Sequence, residues 1–223
     1  MSRYSSHAER KERAKKIVAY LKKTYPKPAS ELVYQTPFQC VAAIILSAQC
    51  TDKAVNKLTG VLFKKYKTPL DFARAKPAVF SQEISSVPFF RNKSKTIIET
   101  AKIIHKKYGD NIPQTATELI ELPGVGYKTA HVILGELHGI WEGIPTDTHV
   151  KRFAKRFDLT DANDLTNISK DLEALIPKKD WKYVNNGLVL YGRYVCSARP
   201  HECAAHPLTK LWPPSAGRWP KAT

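Results

Sequence analysis

The residues with the clearest chemical potential in this 223-residue chain are two glycines and a lysine in segment 122–128, LPGVGYK. Glycines one residue apart allow backbone angles and a close approach that a β-carbon would prevent. If a helix begins directly after them, their N–H groups point into the positive end of its dipole, where phosphate binds well. The alternative is a tight turn that joins two helices and binds nothing. We predict that Gly124 and Gly126 contact a phosphate backbone.

Lys128 and Asp147 are the two charged residues that could act at such a site. Lys128 lies two residues before Ala130, which begins the apolar stripe of the next helix, so the amine points about 200° away from that stripe. The alternative is a surface lysine that supports solubility. Asp147 precedes the apolar residues Val150 and Phe153 and is predicted to be a helix N-cap. A capping aspartate can present its second oxygen to a ligand, so both roles are compatible.

Helices are expected to position these residues. Apolar residues recur every three or four positions in segments 9–25, 97–108, 150–157 and 168–176. Thr-Pro pairs at 36–37 and 68–69, and a Thr-x-x-Glu capping box at 115–118, indicate helix starts. Period-2 alternation bounded by hairpin turns is missing, so the sequence predicts an all-α fold. The proline-rich tail after His206 is expected to be extended or loosely packed.

The composition favours a polyanionic partner. Lys+Arg total 36 against 20 for Asp+Glu, which gives a net charge of +16 and a pI near 9.7. Each phosphate that such a surface neutralises releases condensed counterions. The alternative is a solvated basic surface. No apolar run approaches a membrane span, and the N-terminus lacks the apolar core of a secretory signal. Four cysteines in this length predict reduced thiols and a cytoplasmic, nucleoid-associated protein.

Several motifs in order resemble the endonuclease III family of helix-hairpin-helix DNA glycosylases. The glycine turn with its lysine (122–130, LPGVGYKTA) and the aspartate segment (145–152, PTDTHVKR) are similar to its hairpin and catalytic segment. Segments 46–52 (LSAQCTD), 88–93 (PFFRNK) and 191–196 (YGRYVC) resemble three further family motifs, although proline stands in the second where glycine is usual. The likeness runs from about residue 9 to 203.

The resemblance implies that Lys128 is the nucleophile and Asp147 the essential carboxylate. Breaking an N-glycosidic bond builds positive charge on the sugar, which a nearby carboxylate stabilises. A neutral amine that attacks C1′ forms a Schiff base, which makes the adjacent proton acidic enough for β-elimination of the 3′ phosphate. Adenine-excising relatives usually lack this lysine, so its presence favours a bifunctional glycosylase/lyase.

The resemblance also implies a DNA-binding surface, because the target base must be flipped out of the duplex. Gln49 would fill the gap in the stack and Phe89 would wedge the opposite strand. The alternatives are a polar helix-end cap for Gln49 and a core aromatic for Phe89. Lys93, His149 and Arg152 are expected to contact phosphate, and Ser47 and Asp52 are expected to line the base pocket.

The C-terminal loop departs from the family pattern. The family carries four cysteines spaced C-x6-C-x2-C-x5-C, but here only Cys196 and Cys203 keep that pattern, and His206 and Trp212 occupy the third and fourth positions. Tryptophan cannot ligate iron, since its indole nitrogen is only a donor. We therefore predict that a four-thiolate iron–sulfur cluster is absent, with no absorbance near ~400 nm.

Three interpretations of this loop follow. In the first, which we adopt here, no metal or other cofactor is bound, and Trp212, Trp219 and the prolines fill the loop by packing. In the second, Cys196, Cys203 and His206 bind zinc with a fourth ligand such as His201. In the third, a degenerate cluster uses an unusual ligand.

The sequence thus predicts two helical lobes with a DNA-binding cleft between them. A central domain of residues 28–139 carries the hairpin, and residues 1–27 plus 140–223 form the second lobe. We expect a monomer that binds double-stranded DNA, without membrane association, and acts on oxidised or saturated pyrimidines and abasic sites. The alternatives are a monofunctional mismatch-type glycosylase and a non-catalytic helix-hairpin-helix DNA-binding module.

Overall fold

Helices account for all regular structure between residues 5 and 218, the part of the chain that this computed structural model describes. The α-helices are α1 His7–Thr24, α2 Pro37–Ser47, α3 Asp52–Lys65, α4 Pro69–Ala73, α5 Pro77–Glu83, α6 Phe90–Tyr108, α7 Ala116–Ile120, α8 Tyr127–Ile133, α9 Thr148–Arg156, α10 Leu165–Leu175, α11 Asn185–Tyr194 and α12 Pro207–Leu211. A π-helical turn, Leu134–His138, continues α8, and 3-10 helices cover Lys178–Tyr183 and Pro213–Gly217. No strand occurs within residues 5–218, so the all-α prediction is confirmed.

Side-chain caps explain where several of these helices begin. Thr36 and Gln39 form a reciprocal capping box at the start of α2, with Pro37 at the first helical position. Thr68 does the same for α4. Thr115 caps α7 by accepting a hydrogen bond from the backbone N–H of Glu118. These caps satisfy N–H groups that have no partner inside the helix.

The chain forms two compact units. The hairpin unit is Ser30–Ile140, and the terminal unit combines Met1–Ala29 with Trp141–Thr223, of which residues 5–29 and 141–218 are described. The limits of these units differ by one or two residues from the domain boundaries expected from the sequence, and the cleft between two lobes stays a prediction.

Each unit has its own apolar core. In the hairpin unit, the largest fully buried side chains come from α2, α4, α5 and α6 and include Phe38, Phe72, Phe80, Ile97 and Ile104. In the terminal unit, buried apolar side chains come from α1, α9, the residue after α9, α10 and α11, and include Leu21, Phe153, Phe157, Leu172 and Tyr191. Burying apolar groups of this size contributes about 1.5–3 kcal/mol each.

A buried carboxylate stabilises the terminal unit beside its α9 core. Asp158 forms ion pairs with Arg218 at 3.3 Å, Arg13 at 3.5 Å and Arg10 at 3.7 Å. Burial would raise the pKa of Asp158, but the hydrogen bond from Ser5 and these arginines outweigh it and lower that pKa below its ordinary value.

The expectation of an extended tail after His206 is wrong within the described residues. Pro207–Leu211 is a short α-helix and Pro213–Gly217 a 3-10 helix. Leu208 is fully buried and its backbone N–H donates to the Tyr191 hydroxyl at 3.3 Å. Proline at the first position favours a helix start, and one buried leucine is enough to hold such a turn without a visible helical period. Trp219 lies outside the described residues.

Among residues 5–218, helices are either too short or too polar to span a bilayer.

Candidate active site

The glycine turn of the hairpin unit has two glycines with different constraints. Gly124 adopts φ +73°, and a β-carbon there would lie closer than 3.0 Å to Thr96 Cγ2. Thr100 on the same helix, α6, donates its hydroxyl to the carbonyl oxygen of Pro123 at 2.9 Å. Gly126 is the N-cap of α8 at φ −84°, and a β-carbon there would meet no atom within 4 Å. The fold therefore requires glycine at 124, whereas position 126 faces open space.

Lys128 lies on the exposed side of α8, two residues after that open position. The opposite side is fully buried through Ala130, Ile133 and Leu134. The amine is therefore directed away from the core, on the same surface as the turn. A buried aliphatic face and an exposed cationic residue on one short helix fix the direction of the lysine stem.

Gln49 and Phe89 share an unusual backbone conformation. Both adopt the left-handed region, at φ 55° and φ 57°, although neither is glycine. Such residues cost of order 1–2 kcal/mol and are found where a side chain must be held in a particular place. Phe89 is 63% exposed, so the alternative of a core aromatic is wrong. With Gly124 and Thr129, Gln49 and Phe89 line one groove of about 230 Å³.

Lys93 also borders this groove, but its ammonium group is used inside the unit. Its Nζ donates to the carbonyl oxygens of Leu46 at 2.8 Å and Ala48 at 2.7 Å, and the side chain is 6% exposed. Burial lowers the pKa of Lys93. The predicted phosphate contact of Lys93 is therefore wrong, because two backbone carbonyl oxygens already bind its ammonium group. Lys93 instead holds the end of α2, directly before Gln49.

The two candidate pocket residues lie on either side of Gln49. Ser47 is the last residue of α2 and donates its hydroxyl to the carbonyl oxygen of Ile44 at 2.8 Å. Asp52 is the first residue of α3 and is partly exposed. Their assignment to a base pocket stays a prediction.

Asp147 belongs to the terminal unit and caps α9. Its Oδ1 accepts a hydrogen bond from the backbone N–H of Val150 at 2.9 Å. Within residues 5–218 its second oxygen, Oδ2, accepts no hydrogen bond, and the residue is partly exposed. The cap therefore fixes the side chain by one oxygen and leaves the other available.

The backbone before Asp147 is held by polar groups that sequence reasoning did not identify. Asn185, at the start of α11, donates its amide to the carbonyl oxygen of Pro145 at 2.6 Å and is 5% exposed. Ser169 on α10 donates to the carbonyl oxygen of Ile144 at 2.7 Å. These bonds join residues 40 and 25 positions apart, so local patterns carry no signal for them.

His149 and Arg152 on α9 lie against Gly192 of α11. A β-carbon at position 192 would meet both His149 Nδ1 and Arg152 Nη2, the latter at 2.8 Å. Arg152 is 9% exposed, and its Nη1 donates to the carbonyl oxygens of Cys196 at 3.0 Å and Ser197 at 3.1 Å. Arg152 is therefore corrected from a phosphate contact to a group that holds the Cys196 loop, whereas His149 remains partly exposed.

Four potential metal ligands come together in the C-terminal loop. The ligand atoms of Cys196, His201, Cys203 and His206 all lie within 4.8 Å of one another. Both sulfurs are buried and both histidines partly buried. Burial raises the pKa of the Cys196 thiol, against the opposing effect of the Arg156 guanidinium, and burial also lowers the pKa of His206, which favours its neutral, ligating form. This grouping gives no support to the expectation that no metal binds.

A four-thiolate cluster does not fit these residues. Only two of the four ligand groups are cysteines, and Trp212 packs its ring against the guanidinium of Arg13 at 4.2 Å. The chain's other cysteines, Cys40 and Cys50, belong to the hairpin unit. The ligand set is thus two sulfurs and two imidazole nitrogens. Such a set is found at metal sites and clusters other than the four-thiolate iron–sulfur cluster.

Comparison with known proteins adds an independent line of evidence. Residues 42–178 match the model of the HhH-GPD superfamily base excision DNA repair proteins. The chain is 43% identical over 206 residues to endonuclease III of Synechocystis, covering 92% of this chain and 94% of that protein. It is similar to a solved non-covalent endonuclease III–DNA complex, and to a trapped endonuclease III–DNA covalent intermediate, each with TM-score 0.84, 36% identity and coverage of 90% of this chain and 94% of the other.

Proposed function

The chain belongs to the HhH-GPD superfamily of base excision DNA repair proteins and, within it, to the endonuclease III family, and from this premise we propose that Lys128 and Asp147 perform its chemistry. It is a DNA glycosylase with AP lyase activity, and double-stranded DNA is its partner. We propose oxidised or saturated pyrimidines and abasic sites as its substrates, and a monomer in the cytoplasm, associated with the nucleoid, as its working form.

The proposed reaction uses the amine as a nucleophile. Neutral Lys128 Nζ attacks C1′ of the damaged nucleotide, and the base departs with the electrons of the glycosidic bond and takes up a proton from solvent. Asp147 Oδ2 stabilises the positive charge that develops on the sugar. The sugar ring opens to a Schiff base, loss of a C2′ proton expels the 3′ phosphate, and water then releases the lysine.

The groove of the hairpin unit is the proposed site of duplex distortion. Gln49 and Phe89 would contact the DNA where the base has left the stack. These contacts would offset the free energy that is needed to unstack the base. Their left-handed backbones support this assignment, because both side chains are held outward at a local cost in stability. Gly124 and Gly126 are proposed to contact the phosphate backbone, and His149 a phosphate on the terminal unit.

Lys128 of the hairpin unit and Asp147 of the terminal unit are proposed to act on one nucleotide. The observation that carries the proposal is Gly126, where the fold leaves open space beside the exposed Lys128. A position that needs no glycine for its own backbone but offers room for a phosphate is suited to backbone contact. We also propose that the enzyme works without a four-thiolate iron–sulfur cluster.

Borohydride trapping tests the assignment of the two catalytic residues. Reduction in the presence of an abasic or thymine-glycol duplex should give a covalent protein–DNA adduct with the wild type and none with Lys128→Ala. Lys102→Ala, which removes another exposed lysine of the same unit, should trap normally. Asp147→Asn should fold and bind DNA but react about 10²–10³-fold more slowly.

Asp164 supplies a matched control for the carboxylate. It caps α10 through the same kind of backbone hydrogen bond, since its Oδ1 accepts from the backbone N–H of Asn167 at 2.9 Å, while its Oδ2 accepts from the Asn167 side-chain amide at 2.8 Å. Asp164→Asn should therefore cost similar stability and leave turnover intact. Base release without trapping would favour the monofunctional mismatch-type glycosylase, and salt-sensitive binding without any base release or strand cleavage would favour the non-catalytic module.

A further inference from the structure

The C-terminal loop of the terminal unit contains a ligand set that the enzyme's proposed chemistry does not use. Cys196 follows α11, His201 and Cys203 lie in the loop, and His206 immediately precedes α12. Their ligand atoms lie within 4.8 Å of one another. For zinc–sulfur bonds of about 2.3 Å and zinc–nitrogen bonds of about 2.0 Å, a tetrahedral site needs separations of roughly 3.3–3.8 Å. Shifts of about 1 Å or less would close it.

The two histidines are arranged to offer lone pairs to the group. His201 Nδ1 lies 2.8 Å from the carbonyl oxygen of Arg199, so this nitrogen carries the proton and Nε2 carries the lone pair. A backbone carbonyl that fixes the tautomer in this way is the usual partner of a metal-bound histidine. His206 Nδ1 is buried without a hydrogen-bond partner among the described residues. A buried ring nitrogen of this kind is costly unless something binds it.

Arg156 supplies hydrogen bonds that two thiolate ligands would accept. It is fully buried, and its Nη1 and Nη2 donate to Cys196 Sγ and Cys203 Sγ, both at 3.0 Å. A neutral thiol sulfur is a weak acceptor, whereas a thiolate accepts charge-assisted hydrogen bonds well. Two buried thiolates repel each other, and a divalent cation between them removes that repulsion.

We propose that Cys196, His201, Cys203 and His206 bind one zinc ion. Binding deprotonates both thiols, so that two protons leave to solvent for each Zn²⁺ taken up and the coordination shell is neutral overall. Zinc would then connect the end of α11 to the start of α12. The fourth ligand comes from His201, between the two cysteines, and not from position 212, where Trp212 packs against Arg13.

The geometry favours zinc over an iron–sulfur cluster with the same ligands. In a two-iron cluster with two cysteines on one iron and two histidines on the other, the inorganic core separates sulfur from nitrogen by about 5 Å or more. All four ligand atoms here are closer than that. A single tetrahedral ion with two sulfur and two nitrogen ligands matches both the distances and the donor types.

Metal analysis of the untagged full-length protein tests this proposal without reference to DNA activity. Elemental analysis should find one zinc per chain and no stoichiometric iron, and a thiol-blocking mercurial should release the zinc. Protein refolded with Co²⁺ in place of zinc should show the visible bands of a tetrahedral ion and a thiolate-to-metal charge-transfer band. Chelation should lower the melting temperature.

Substitutions identify the ligands. His201→Ala and His206→Ala should each lower zinc content severalfold and alter the Co²⁺ spectrum, as should Cys203→Ser. Two control variants should keep full zinc content. Trp212→Phe changes the residue at the family's fourth ligand position, and Cys50→Ser changes a cysteine of the hairpin unit. The Co²⁺ spectrum of the wild type gives a result even if a variant fails to fold.

Three results would overturn the proposal. The first is stoichiometric iron with a visible cluster spectrum. The second is zinc-free protein that takes up no Co²⁺, which would return the loop to a metal-free packing role. The third is zinc content that survives both histidine substitutions but falls in Cys50→Ser.

Discussion

Alanine substitutions at Gly124 and Gly126 should separate what the glycine turn does for the fold from what it does for DNA. At position 124, alanine must adopt φ +73°, which costs about 1–2 kcal/mol. Its β-carbon must also displace Thr96 Cγ2, an overpacking cost of about 1–3 kcal/mol. The sum is about 2–5 kcal/mol. At 2–4 °C for each kcal/mol, a mid-range loss of about 3.5 kcal/mol lowers the melting temperature by about 7–14 °C.

A second substitution divides that loss into its two parts. Thr96→Ser removes the methyl group in the way, so Gly124→Ala combined with Thr96→Ser should recover the packing part and retain only the backbone part. Thermal unfolding followed by circular dichroism measures each variant. If Thr96→Ser recovers nothing, the contact with Cγ2 is not the source of the destabilisation.

Gly126→Ala is the matched variant for function. Its φ of −84° suits alanine and the site is open, so stability should hold within about 1 kcal/mol. DNA affinity should nevertheless fall about tenfold, which corresponds to about 1.4 kcal/mol, because the β-carbon keeps a phosphate from the backbone N–H groups. Titration of labelled duplex at fixed salt measures it. Unchanged affinity would refute backbone contact at this turn.

Three further predictions concern the terminal unit. Asn185→Ala leaves the Pro145 carbonyl oxygen without its buried partner, so stability should fall by about 1–3 kcal/mol and single-turnover base excision should fall more than DNA affinity. Gly192→Ala should displace His149 and lower DNA affinity severalfold, as measured by duplex titration. Asp158→Asn should cost about 2–4 kcal/mol at neutral pH in urea unfolding. Because the folded pKa of Asp158 is lowered, its stabilisation is complete above about pH 4 and is lost as pH falls through that folded value, so the variant should lack this acid-dependent loss.

Each of these three predictions has a control. Asn167→Ala removes another side-chain amide, which donates to the Asp164 carboxylate at an exposed helix start, and should leave excision unchanged. Gly217→Ala, at a position with open space, should leave DNA affinity unchanged, in contrast to Gly192→Ala. Equal acid sensitivity of the wild type and Asp158→Asn would show that another carboxylate controls stability below pH 4.

Short-range sequence patterns predict the helices of this chain well. Proline and threonine at positions 36–37 and 68–69 specify helix starts through one backbone angle and one hydroxyl, and both starts occur at the expected residues. The place of Asp147 before Val150 predicts a helix cap, and Asp147 is the N-cap of α9. These features depend on neighbours within four residues, which the sequence itself supplies.

Short-range patterns fail to predict the structure of the tail after His206. Its first helical turn contains buried Leu208, whose backbone N–H donates to the hydroxyl of Tyr191, 17 residues earlier. No periodicity in the sequence predicts such a contact. The predicted phosphate contacts of Lys93 and Arg152 are wrong for the same reason. A basic side chain in a basic protein suggests phosphate, but the packing of α2 and of the Cys196 loop decided that these charges bind carbonyl oxygens.

The sequence by itself determined the family motifs, the exposed direction of Lys128 and the loss of two cluster cysteines. The tertiary structure decided which side chain lies beneath Gly124, which amide holds the segment before Asp147, and which histidine joins Cys196 and Cys203. These are contacts between groups on different elements. Their distances are set by how helices pack, which depends on the whole core and not on the spacing of residues along the chain.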